Sequence, residues 1–195
     1  MQAGLYYHIY NRAINKELLF YEDRNYKYFL NQFHRYLSHH LEVYSYCLMP
    51  NHFHFLVKVQ DYFQNNLSTL PKQDYENIPA IFALKDFFIS YAKSINKSYN
   101  RTGSLFQYKF KRKIINHPGY LTKLIAYIHL NPVRDGLCKN PENWKYSSYN
   151  AILGTGKTKV NREEIFNLFS DKEAFINFHK EYRDYQITRD YLYKE

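Results

Sequence analysis

The stretch "EVYSYCLMPNHFHFLVKV" (42–59) constrains the fold of this chain more than any other. Two runs rich in aromatic and β-branched residues flank Pro50–Asn51, a dipeptide that marks a turn. The reading is a strand over 42–49, a tight turn and a strand over 52–59, paired as a hairpin. An isolated hairpin is marginal in water, so the rest of the chain has to supply neighbours and a core.

The flanking segments do so. "LYYHIYNR" (5–12) reads as a first strand, and "YKFKRKII" (108–115), alternating basic and apolar residues, as a last strand with one exposed face. From about Glu22 to His39 the chain starts acidic and ends basic, as suits a helix dipole. Tyr26, Phe29, Leu30, Phe33 and Leu37 recur there at helical spacing. A second helix is expected over 80–99, with Ile81, Leu84, Phe88, Tyr91 and Ile95 on one stripe. "HPGYLTKLIAYIHLNP" (117–132) is a third, expected to stop at Pro132, whose ring removes a donor and restricts Asn131. The polar, proline-interrupted residues 60–79 are expected to form a long loop. The tail from 139 onward reads as an irregular segment packed over the domain, followed by two short helices near 161–169 and 171–185.

The resulting order, β-α-β-β-α-β and then a helix, predicts an α+β fold. It is a ferredoxin-like antiparallel sheet with helices on one face, plus a C-terminal helix and a helical tail. The main domain is expected over 1–153, with a helical extension over 154–195.

Composition narrows the function. Of 195 residues, 45% are apolar, enough for one core, yet no run approaches the roughly 18 apolar residues that span a membrane. The first residues lack the basic-then-apolar pattern of a secretory signal, which predicts a cytoplasmic protein. Cys47 and Cys138 show no metal or disulfide spacing and read as reduced thiols, Cys47 as a small buried residue near the histidines. The net charge of +9 favours a polyanionic partner, through counterion release from phosphates. With 22 tyrosines and 15 phenylalanines there are rings to spare for stacking on unpaired bases.

Residues on a strand alternate faces, so His52 and His54 point the same way, with Phe53 opposite. Two imidazoles on one rigid strand can meet a single metal ion; two histidines on a solvated face would show the same spacing. Tyr127 and Asn131, four residues apart, share one face of the third helix. Beside a divalent ion a tyrosine hydroxyl could attack a phosphate, with the Asn131 amide oxygen completing the ion's shell. By spacing alone Asn131 could equally cap the helix. Lys109, Lys111, Arg112 and Lys113, with Phe106, Tyr108 and Phe110 between them, suit a bound phosphodiester or a lysine-guarded edge strand.

Taken together, "CLMPNHFHFLV", "NRTGSLFQYKFKRKII", "YIHLNPVRDGL" and "WKYSSY" resemble the REP-associated tyrosine transposases. That family belongs with the single-tyrosine transposases among the HUH-type single-strand endonucleases. The blocks agree in order from "YYHIYNR" to about Leu153. The resemblance implies that His52 and His54 bind a divalent metal, Mg²⁺ or Mn²⁺, that Tyr127 is the nucleophile, and that Asn131 helps to hold the ion. Arg12, Lys109, Lys111, Arg112 and Lys113 are the expected DNA contacts. Such enzymes cut single-stranded DNA beside hairpin-forming repeats, leave a 5′-phosphotyrosine and a free 3′-hydroxyl, and rejoin the strand. Some relatives act as homodimers and others as monomers. The chain departs from the family at Ala13, where glycine is common. The alternative expectation is a non-catalytic DNA hairpin-binding protein descended from such an enzyme.

Overall fold

The computed structural model describes residues 1–60, 80–107 and 109–192. The loop expected over 60–79 therefore lies, from residue 61, outside the described residues, as does Tyr108. Four strands, β1 (Tyr6–Arg12), β2 (Leu41–Met49), β3 (His52–Val59) and β4 (Lys111–Ile115), form one sheet in the order β2-β3-β1-β4. All neighbours are antiparallel. This is the expected ferredoxin-like arrangement, and the hairpin closes at Pro50–Asn51 with Met49 opposite His52.

Helices α1 (Asp23–Leu37) and α2 (Ala80–Ser98) cover one face. Asn25 Oδ1 accepts from the backbone N–H groups of Tyr21 and Glu22, which fixes the start of α1. Tyr26, Phe29, Phe33 and Leu37 then turn inward beside Leu84, Phe87, Phe88 and Tyr91 of α2. They meet Ile9, Phe53, Phe55 and Val57 of the sheet in an aromatic core, with Phe33 stacked on Phe55 at 4.2 Å between ring centroids.

Helix α3 (Pro118–Arg134) lies on the opposite face. Its Leu121, Leu124, Ile125 and Ile128 pack on Cys47, Met49, Leu56 and Ile115. The tail helices α4 (Tyr149–Leu153), α5 (Arg162–Phe169) and α6 (Lys172–Leu192) complete this second core through Ile152, Ile165, Phe169 and Phe175. The tail also caps the outer edge of β2: Leu48 N donates to Tyr146 O, Ser148 N to Tyr46 O and Asn161 N to Val43 O. Among the described residues no helix is long and apolar enough to cross a membrane.

Three expectations need correction. Helix α3 does not stop at Pro132 but runs through it to Arg134. The carbonyl of Ile128 loses the proline's missing N–H, and the Asn131 side chain reaches it at 3.5 Å while bonding Tyr127 O at 2.9 Å. The stop signal is Gly136 instead, with φ +74°. Its N–H bonds Val133 O and the Leu137 N–H bonds Pro132 O, a Schellman closure that favours glycine. Strand β4 begins at Lys111 rather than 108, and Lys109 sits in a left-handed conformation (φ +40°) that breaks the strand. The last helix is one long element of 21 residues rather than a short one.

Candidate functional site

Register decides which side chains meet. Tyr10 pairs with His54 and Arg12 with His52, so His8, Tyr10, Arg12, His52 and His54 all lie on the face that carries α3. On the other side of β1, Tyr10 pairs with Lys111 and His8 with Lys113, which adds both lysines to that face. Helix α3 covers the β2 side, and toward β1 and β4 the face opens into a cleft of about 300 Å³. Arg12, His52, His54, Lys111, Arg134 and Asp135 line it.

The two imidazoles of the hairpin are held in parallel ways. His52 Nδ1 donates to Asn51 Oδ1 at 2.7 Å, the turn residue that immediately precedes it. His54 Nδ1 lies 2.9 Å from His8 Nε2. In each ring Nδ1 is engaged, and Nε2 is the nitrogen left to face a ligand. Burial pushes the basicity of all three rings down. His8 falls to about 4, with Lys113 adding to the effect. His54 falls well below the ordinary value through burial and the neighbouring His8, His52 and Arg134. His52 is lowered by burial, and Asp135 partly opposes this. Neutral imidazoles are the form that binds a metal.

Tyr127, half-buried on α3, sets its ring edge-on to His54 at 5.9 Å and to His8 at 6.4 Å. The Arg134 guanidinium lies over the Tyr127 ring, 4.8 Å from its centre. Arg134 Nη2 also donates to Asn131 Oδ1 at 2.6 Å. Asn131 is wholly buried, with Nδ2 on Tyr127 O, so both ends of its amide are engaged within α3. Asp135, at the end of the helix, stands 4.0 Å from His52 Nε2 through Oδ2 and 3.7 Å from Arg134 Nε through Oδ1. Among the described residues no three His, Cys, Asp or Glu side chains are drawn tightly enough together to hold an ion unaided. An ion here would take oxygens from water or phosphate as well, as Mg²⁺ and Mn²⁺ commonly do.

The fold thus gathers His52, His54, Tyr127 and Arg12 from three elements, with Lys111 lining the cleft and Lys113 farther along the same face. It splits the rest of the basic cluster. Arg112 pairs with Ile9 and belongs to the opposite face, and Lys109 lies outside the strand. Cys47 pairs with His54 across the hairpin but is fully buried in the second core, and burial pushes its thiol well up, away from the metal-binding thiolate. Cys47 and Cys138 are both free.

Sequence reasoning missed His8, Arg134 and Asp135. His8 was visible as the residue that alternates with Tyr10 and Arg12, yet only the β1–β3 register brings it to His54. Arg134 and Asp135 lie beyond Pro132, where the sequence pattern predicts the end of α3.

No family model matches the chain, and no curated protein matches it. Among solved structures it is similar to a REP-associated tyrosine transposase bound to a REP hairpin, with 15% sequence identity and a TM-score of 0.58. The match covers 80% of this chain and 82% of that one. At this identity the likeness is one of fold, and the two chains share it.

Proposed function

We propose that the protein is a metal-dependent single-strand DNA endonuclease and strand transferase, with Tyr127 as its nucleophile and hairpin-forming DNA as its substrate. The observation that carries this reading is the approach of Tyr127 to His54, 5.9 Å between rings that are 73 positions apart in sequence. A core histidine pair would have no need of a tyrosine hydroxyl, an arginine and an open basic cleft beside it. The REP hairpin bound by the structural neighbour fits the same substrate class.

Tyr127 Oη would attack the phosphorus of an unpaired strand. The new bond is Oη–P and the bond broken is P–O3′, so the chain keeps a 5′-phosphotyrosine while the 3′-oxygen leaves as a hydroxyl. The phenol proton goes to solvent, and the 3′-oxygen takes one from it. Rejoining runs the exchange in reverse. Arg134, lying over the Tyr127 ring, steadies the tyrosine, and its charge together with Arg12 and Lys111 draws the phosphate into the cleft. His52 and His54 would hold Mg²⁺ or Mn²⁺, with the remaining oxygen donor expected at Asn131. Such an ion polarises the phosphoryl group and offsets charge in the transition state.

The test is covalent trapping. Labelled single-stranded hairpins carrying the repeats next to the gene are incubated with the protein and Mn²⁺ or EDTA, then run on a denaturing gel. A slow, Mn²⁺-dependent band that Tyr127→Phe removes is the expected result. Tight hairpin binding with no band under any metal favours the binding-protein reading, and a band that survives Tyr127→Phe means another nucleophile.

A further inference from the structure

Helix α3 continues its exposed face past Tyr127 toward its own start. Tyr120, Lys123, Tyr127 and Arg134 recur at helical spacing and share that face, while Leu121, Leu124, Ile125 and Ile128 turn into the core. Tyr120 is 45% exposed, and Lys123 is exposed as well. Strand β4 supplies a second row, because Lys111 and Lys113 project from the same side of the sheet. Ile115 at the end of β4 packs with Leu121 in the second core, which brings the strand against the start of the helix. Lys113 Nζ lies 5.9 Å from the centre of the Tyr120 ring. The two rows border one groove, which begins at the cleft and ends at Tyr120.

Between Asp86 and Asp135 the sequence has no Asp or Glu, so neither wall of the groove carries a carboxylate of its own. Among the described residues, Lys111, Lys113 and Lys123 form no salt bridge. An exposed lysine beside an exposed ring pairs a phosphate contact with a stacking surface, the combination that binds unpaired strands. A base inside a duplex has no free face to offer Tyr120, whereas an unpaired base does. Along the helix axis Tyr120 and Tyr127 are about 10 Å apart, at a rise of about 1.5 Å per residue. That span takes about three nucleotides at a stacked rise of about 3.4 Å.

We propose that Tyr120 is a stacking platform for an unpaired base about three nucleotides from the cleaved phosphate, and that Lys113 and Lys123 hold the phosphates between them. The inference rests on the reading of Tyr127 as nucleophile given above. It makes the bound strand longer than the cleft, since a hairpin has to carry an unpaired flank of about three nucleotides to reach Tyr120.

The test reads binding by fluorescence anisotropy in EDTA. The probes are hairpins carrying the repeats next to the gene, either blunt or with unpaired 5′ or 3′ flanks, and with each flank base in turn replaced by an abasic position. A flank is expected to tighten binding by the wild type, and one abasic position in it to cost at least about fivefold. The same abasic position should cost Tyr120→Ala nothing further, whereas Tyr120→Phe, which keeps the ring, should respond as the wild type does. Lys123→Ala should lower the slope of log affinity against log salt by about 0.7, and an unchanged slope overturns that contact. Flanks that add no affinity, or an abasic penalty as large in Tyr120→Ala as in the wild type, overturn the platform. Covalent trapping judges the nucleophile separately. Flank binding that depends on Tyr120, with no covalent band under any metal, leaves the platform standing and overturns strand transfer. Absence of any hairpin binding by the wild type overturns both.

Discussion

His8 Nε2 lies 2.9 Å from His54 Nδ1, across neighbouring strands and 46 residues apart in sequence. The pair aligns the His54 ring so that its Nε2 faces the cleft, as Asn51 does for His52. Partners of this kind behind a metal-binding imidazole typically contribute 10- to 100-fold, on the order of 1–3 kcal/mol. His8→Leu is expected to lower Mn²⁺ affinity and cleavage by about that factor while hairpin affinity stays within about twofold. His8→Gln, which can still accept from Nδ1, should recover part of the loss. Equal metal affinity in wild type and His8→Leu would show that the pair is packing alone.

The Asn131 amide does two jobs on α3: it supports the helix at Pro132 and orients Arg134. Asn131→Ala should cost about 1–3 kcal/mol in urea unfolding, since Ile128 O and Tyr127 O lose a donor in a buried setting. Adding Pro132→Ala in the same chain restores a backbone N–H for Ile128 O and should recover part of that stability. It should not recover cleavage, because Arg134 still lacks its acceptor. A double variant with full activity would separate Asn131 from the site.

Register divides the basic strand β4 between two faces, and DNA binding should follow that division. Lys111 lines the cleft, whereas Arg112 stands on the opposite face with Ile9. Lys111→Ala is expected to weaken binding of a single-stranded oligonucleotide and to reduce the slope of log affinity against log salt by about 0.7, the value for one neutralised phosphate on a single strand. Arg112→Ala should leave the slope nearly unchanged. Equal effects from the two would place the strand's DNA contacts on both faces.

What the sequence made legible was local. The hairpin could be read to within a residue because its period-2 pattern and Pro50–Asn51 turn agree, and that pattern alone put His52 and His54 on one face. The α1 stripe was equally plain, as Tyr26, Phe29, Phe33 and Leu37 follow the helical period. What stayed hidden depends on distant pairing or on compensation by a side chain. Nothing near His8 announces His54, since the β1–β3 register is set by the whole sheet. The passage of α3 through Pro132 depends on an amide that replaces a missing donor, and on Gly136 four residues later. Arg134 and Asp135 were lost with that helix end.

The second face of the sheet holds a buried chain of hydrogen bonds whose proton count is fixed by one carbonyl. Phe175 O can only accept, so His179 Nδ1 donates to it at 2.7 Å and His179 Nε2 must be an acceptor. His129 Nδ1 therefore donates across 2.9 Å, leaving His129 Nε2 to accept from Ser148 Oγ at 2.7 Å. Ser148 Oγ in turn accepts from the Tyr46 N–H of β2, so the chain ties α3 and α6 to the sheet edge with both rings neutral. Burial holds His179 down at about 4 and His129 well below its ordinary value, with His179 adding to the latter effect. The unfolded chain takes up these protons near pH 6.5 and the folded one does not. Stability is therefore complete above pH 6.5 and lost as the pH falls toward about 4. His8 and His54 act in the same direction. A shift of the size seen at His179 corresponds to roughly 3 kcal/mol at the acid end. The melting temperature should accordingly change little between about pH 8 and 7 and drop steadily below about pH 6. His179→Gln is expected to melt lower at pH 7, since it disturbs the chain, but to show a shallower acid decline, having one fewer proton to take up on unfolding. A melting temperature that rises on acidification, or an acid decline in His179→Gln as steep as the wild type's, would contradict this account.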